Sequence, residues 1–276
     1  MELRINDTTI YWESLGRGTP CLCPHGGPGT DSRGLRVLEP IARELGLQLI
    51  LWDHRGHGRS NWDPVEKCTQ DQLVKDMDAI RAALGFEKVI VLGISWGGFL
   101  SLMYAARYPE RVMKLVTVGA AASHEFMARA EANARALATP EQYEAYRSLW
   151  DGSLTSDEEM ARAFATIRPL YFYNKELANH ANQVRSGTRY RVAVRNFIIH
   201  HEYKNWDCRP ELGNIRCPTL VCVGRHDWIC PVDQSEEIHR LIPGSRLVIF
   251  ERSGHSPHIE EPEAFTEELR KFLWED

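Results

Sequence analysis

The stretch Gly93-Ile94-Ser95-Trp96-Gly97-Gly98 places a serine between glycines, directly after the apolar, β-branched run Val89-Ile90-Val91-Leu92. Gly-x-Ser-x-Gly between a strand-like and a helix-like run puts a serine on a sharp, strained turn with its hydroxyl exposed. Side chains at 93 and 97 would collide where strand and helix close together. A serine hydroxyl is a weak nucleophile near neutral pH, so a base must take its proton and an acid must hold the base. Those partners are expected after later strands, in the order serine, acid, histidine. The chain offers Gly224-Arg225-His226-Asp227 and then Gly254-His255. Gly119-Ala120-Ala121-Ala122, after an earlier strand, holds no carboxylate, which favours Asp227 as the acid. Asp227 then orients His255, and His255 moves the proton between Ser95 and the leaving group. The oxyanion of the tetrahedral intermediate needs preorganised donors. The N–H of Trp96 supplies one. The glycines of His25-Gly26-Gly27-Pro28-Gly29 let backbone approach the same point, so the N–H of Gly27 is the expected second.

Positioning these groups calls for alternating strands and helices. Leu3–Ile5 and Ile10–Ser14 read as a hairpin, Pro20–Pro24 and Leu47–Trp52 as strands, and about Arg33 to Leu45 as a helix. A helix capped by Thr69 or Asp71 reaches Leu84, and the strand before Ser95, a helix to Tyr108 and strand Leu115–Val118 follow. This rhythm means βαβ units and a mostly parallel sheet. From about Ala120 to Pro210 only helical segments appear: Glu125–Ala138, Glu141–Trp150, Asp157–Ile167, Lys175–Val184 and Tyr190–His200. They read as a helical cap at 121–210, inserted in a core of 1–120 and 211–276. The α/β rhythm resumes with Thr219–Val223, a helix from Val232 to Leu241, strand Leu247–Phe250 and a helix from Pro262.

With 43% hydrophobic and 26% charged residues in 276, the composition is that of a globular enzyme with a sizeable core. A net charge of −5 argues against nucleic acid and anionic membranes as partners. No apolar run approaches the roughly 18–20 residues that span a bilayer. The seven cysteines are scattered, without a CxxC pair, and fit a reduced, cytoplasmic chain. No metal is expected: Pro257 breaks helical spacing between His255 and His258, and no third ligand is evident. Asp53 to Ser60 reads as a scaffolding loop. Arg185, Arg189, Arg191 and Arg195 form two i,i+4 pairs, read as a solvated face, with carboxylate recognition the alternative. Among the aromatics, Tyr171, Phe197 and Trp228 are candidates to line a substrate pocket.

On His25-Gly26-Gly27-Pro28-Gly29, Gly93-x-Ser95-Trp96-Gly97-Gly98 and Gly224-Arg225-x-Asp227-x-x-Cys230-Pro231, the chain resembles the α/β-hydrolase fold family, and within it the proline iminopeptidase group. The resemblance implies an eight-stranded, mostly parallel sheet flanked by helices, with a helical cap after strand six. It also implies a cofactor-free serine hydrolase with Ser95, Asp227 and His255 as triad. Relatives that remove an N-terminal residue bind its ammonium with acidic side chains near the catalytic acid and in the cap. Here Trp228 follows Asp227, and the cap carries Arg195-Asn196-Phe197, with Glu202 the nearest carboxylate. The leading expectation is therefore hydrolysis of small carboxylic esters or lactones through an acyl-enzyme. A proline iminopeptidase-type aminopeptidase acting on short peptides is the first alternative. A ligand-binding receptor on the same fold, with little turnover, is the second.

Overall fold

The computed structural model describes residues 1–275. Eight strands form one sheet: β1 (Glu2–Ile5), β2 (Thr8–Gly16), β3 (Thr19–Cys23), β4 (Leu47–Trp52), β5 (Val89–Ile94), β6 (Val112–Val118), β7 (Thr219–Gly224) and β8 (Arg246–Phe250). Their order is β1-β2-β4-β3-β5-β6-β7-β8. The β1–β2 and β2–β4 pairings are antiparallel, and β3 to β8 run parallel. The chain steps from β3 outward to β4 and then back across β3 to β5. That reversal opens a crevice at the carboxyl ends of β3 and β5, where open α/β sheets bind ligands.

Parallel strands covered on both faces read as continuous apolar runs, because successive side chains enter opposite cores. Leu22, Ile50, Val91, Leu115 and Val221 enter one core, packed by helices Gln70–Ala83, Trp96–Arg107 and Val232–Leu241. Cys21, Cys23, Leu49, Leu51, Ile90, Leu92 and Val116 enter the other, under Leu35, Leu38, Ile41, Phe265 and Leu269. Cys21 and Cys23 are thus core thiols, their sulfurs 3.7 Å apart.

The helix expected over about 33–45 divides in two. Ser32–Leu38 is a 3₁₀ segment and Glu39–Glu44 a short α-helix. Pro40 has no N–H to give to an α-helical ladder, so the ladder starts there and does not run through.

Between β6 and β7 lies a helical insertion: Phe126–Leu137, Pro140–Trp150, Asp157–Ile167, Leu177–Val184 and Val192–Phe197, the last passing into a π-turn at Ile198–Glu202. Reciprocal caps start two of these helices, Thr139 with Gln142 and Ser156 with Glu159. A bridge between Ser123 and Asp207 draws the two ends of the insertion together. Among the described residues, no helix is long and apolar enough to cross a membrane.

Candidate active site

Ser95 stands between β5 and helix Trp96–Arg107 with φ 58° and ψ −129°. Only one other described non-glycine residue, Asn6, has a positive φ. The turn is this tight because β5 and the helix close on each other. A Cβ on Gly93 would lie 2.3 Å from the carbonyl oxygen of Gly97, and one on Gly97 would lie 2.0 Å from that of Pro24. The N–H of Ser95 donates to Val118 O at 2.8 Å, tying the turn to the end of β6.

Asp227 follows β7 and is 3% exposed. Its Oδ1 accepts the N–H groups of Ile229 and Cys230, each at 3.0 Å. Its Oδ2 lies 2.6 Å from Nδ1 of His255. With both oxygens engaged, Asp227 is a fixed acceptor that selects the tautomer carrying hydrogen on Nδ1. The His255 loop is pinned in turn: its N–H donates to Tyr171 O at 2.8 Å, and Gly254 N–H donates to Glu260 at 2.6 Å. Nε2 of His255 is buried without a hydrogen-bond partner, and His255 and Ser95 line the same cavity.

Two backbone amides are presented near the serine. Trp96 opens its helix, so its N–H is a first-turn donor with no acceptor within the helix. The carbonyls of Gly26 and Gly27 accept the Thr30 hydroxyl at 2.9 and 2.8 Å. In a trans peptide the amide N–H points opposite to its carbonyl, so the Gly27 N–H is directed away from Thr30. A Cβ on Gly26 would lie 3.0 Å from Ser95 Cβ and 3.6 Å from Oγ, so the loop runs directly over the hydroxyl.

Below that loop sit His25, His54 and His57, all buried around Trp96. Burial lowers the pKa of each, His57 to about 3. Their ring nitrogens serve as hydrogen-bonding struts. His54 N–H donates to His25 Nε2 at 3.2 Å, and Trp52 Nε1 donates to His54 Nδ1 at 3.1 Å. Asp53 anchors the neighbouring loop through Ser32 and Arg59.

Two cavities meet at Ser95. The larger, about 110 Å³, is lined by His255, His258, Arg168, Arg185 and Tyr190 among others. The smaller, about 40 Å³, is lined by Trp96, Phe99, Phe126, Trp150, Arg195 and Tyr203 among others. Tyr171 lines both. Trp228 and Phe197 line neither. Trp228 is 2% exposed with its ring edge-on to Tyr146 and Tyr171, and Phe197 turns onto His201 with ring centroids 5.1 Å apart. Glu202 is also spent elsewhere, accepting the N–H of Gln70 at 2.7 Å where helix Gln70–Ala83 begins. Among the described residues, no aspartate or glutamate lines either cavity.

The basic residues at these cavities were only partly legible. Arg195 is 3% exposed, not solvated. Its Nε donates to Leu149 O at 2.9 Å, and its guanidinium lies 5.4 and 5.0 Å from the rings of Trp150 and Phe164. Burial pushes its pKa down to about 10. Arg168 carried no sequence signal.

Comparison with known proteins bears on the fold. A family model for the alpha/beta hydrolase fold matches residues 19–262. The chain is 32% identical over 262 residues to the proline iminopeptidase PfmaB of Pestalotiopsis fici, covering 90% of this chain and 89% of that protein. It is 28% identical over 271 residues to a proline iminopeptidase of Heyndrickxia coagulans, covering 95% and 93%. An alpha/beta fold family hydrolase from Bacillus anthracis superposes with a TM-score of 0.84 at 26% identity, covering 99% of this chain and 98% of that one. With its strand order, its insertion after β6 and a family match over most of its length, the chain belongs to the alpha/beta hydrolase fold family.

Proposed function

We propose that this chain is a serine hydrolase that cleaves small carboxylic esters or lactones through an acyl-enzyme on Ser95. The observation that carries the reading is the 2.6 Å Asp227–His255 contact, with the unpartnered His255 Nε2 in a cavity shared with Ser95. In this mechanism His255 Nε2 takes the Ser95 proton as Oγ attacks the carbonyl. The N–H groups of Gly27 and Trp96 hold the resulting oxyanion. Collapse breaks the bond to the leaving oxygen, which receives the proton from His255. Water, deprotonated by the same nitrogen, then releases the acid and restores Ser95.

The ester reading draws on the lining of the two cavities. A free N-terminal ammonium calls for carboxylates, and these cavities offer arginines. The named relatives favour a second reading, release of an N-terminal proline from short peptides, over the ester reading. A panel of p-nitrophenyl esters, lactones and aminoacyl-β-naphthylamides separates the two. Higher kcat/KM on short acyl esters or lactones than on Pro-β-naphthylamide is expected. The reverse order overturns the ester reading in favour of the aminopeptidase.

A further inference from the structure

The larger cavity carries a charge pattern that hydrolysis alone does not require. Arg168 comes from the 3₁₀ turn Arg168–Tyr171, and Arg185 follows helix Leu177–Val184. Both line the cavity, yet among the described residues neither has a carboxylate within ion-pair distance. Nε of Arg168 is buried without a hydrogen-bond partner, and so is Nδ1 of His258 on the same wall. Arg185 reaches back to the core, where its guanidinium carbon lies 2.8 Å from where a Cβ on Gly34 would stand. Burial and the neighbouring Arg168 charge both work to lower the Arg185 pKa. Two guanidinium groups, drawn from separate elements to one cavity with Asp31 acting on Arg185 only from beyond ion-pair distance, are costly unless an anion joins them.

The side of the scissile bond follows from where the proton goes. His255 must deliver its proton to the leaving atom, so the leaving group occupies the cavity that His255 lines. The smaller aromatic cavity, lined by Trp96 and not by His255, is left for the acyl group. On the reading of Ser95 as nucleophile, we infer that the substrate carries a carboxylate on its leaving group, held by Arg168 and Arg185 with His258 beside them. Guanidinium groups pair with planar carboxylates through two parallel N–H donors, which makes arginine the suited residue. The inference holds for an ester of a hydroxy acid and equally for a dipeptide, whose departing residue has a free C-terminal carboxylate.

The test uses the purified full chain with 3-acetoxybenzoate and its methyl ester, which differ at the leaving group by one charge. The expected kcat/KM is higher for the charged substrate by roughly 10–100-fold, with most of the difference in KM. Arg168→Met and Arg185→Met are each expected to bring the ratio close to one, and Arg185→Lys to keep part of it. A ratio at or below one in the unaltered chain overturns the inference, as does a ratio unmoved by both arginine variants. Labelling by a fluorophosphonate tells this failure from a deeper one. A chain neither labelled at Ser95 nor active on either ester overturns the hydrolase reading and this inference with it. If Ser95 is labelled but neither ester turns over, protection from labelling replaces turnover as the readout. Stronger protection by 3-hydroxybenzoate than by methyl 3-hydroxybenzoate supports the inference, and equal protection overturns it.

Discussion

Ser95 keeps a backbone conformation costing roughly 1–3 kcal/mol, and the surrounding elements hold it there. That strained turn presents Ser95 to the cavity that His255 also lines. Asp227 shows the opposite economy, with every oxygen committed: Oδ1 to two backbone amides and Oδ2 to His255. Asp227→Asn preserves the shape but allows an amide N–H to face Nδ1, which favours the wrong imidazole tautomer. We expect kcat to fall about 10,000-fold with an unchanged melting temperature. Steady-state kinetics on the best ester of the panel, with thermal melting as control, checks this. A loss under tenfold would remove Asp227 from the mechanism.

The site is made where elements end. Ser95 follows β5, Gly119 follows β6, Asp227 follows β7 and His255 follows β8, all at the carboxyl edge of the sheet. Gly119 has φ 55°, and a Cβ there would lie 2.8 Å from Asp227 Oδ2 and 2.9 Å from His255 Nδ1. Gly119→Ala therefore presses on the Asp227–His255 hydrogen bond, which in the proposed mechanism orients the base. A kcat loss on the order of 10–100-fold is expected, since displacements near 1 Å cost that much. Kinetics and melting of this one variant test it, and unchanged kcat would mean the loop after β6 yields freely. This edge was legible from sequence because each strand is a short β-branched run followed by a glycine-bearing turn. Gly93, Gly224 and Gly254 each mark such a turn near a residue of the proposed triad. The arginine cavity was not legible. Arg168 and Arg185 lie on different elements of the insertion, and packing alone brings them to one cavity. Arg195 looked solvated because its i,i+4 partner Arg191 suggested an exposed face. In the folded chain Arg191 instead caps the carbonyls of Gly56 and Asp63, while Arg195 points inward.

For the molecule as a whole, the buried histidines set a pH limit. Burial, with the His25 charge next, holds His57 near 3; burial, with the His255 charge next, holds His258 near 3. An unfolded chain protonates the same rings near 6.5. The folded-state values are depressed, so the stability contribution is full above about pH 6.5 and is lost as pH falls toward 3. Asp53 adds a loss of the same sign at lower pH. Burial works to raise its pKa, but Arg59, His25 and Ser32 outweigh that and hold it below the usual carboxylate range. The melting temperature should decline steadily from about pH 6.5 to pH 4; a flat profile would mean these rings are not buried neutral. In the proposed mechanism the chemistry rests on one oxygen atom, Oγ of Ser95. Reaction of the purified chain with a fluorophosphonate, followed by intact-mass and peptide analysis, interrogates that atom directly. One adduct per chain is expected, on the peptide containing Ser95, and none in Ser95→Ala, which should also lose ester turnover at least about 1,000-fold. Adducts on another residue, or turnover that survives in Ser95→Ala, would contradict the assignment of Ser95 as the nucleophile.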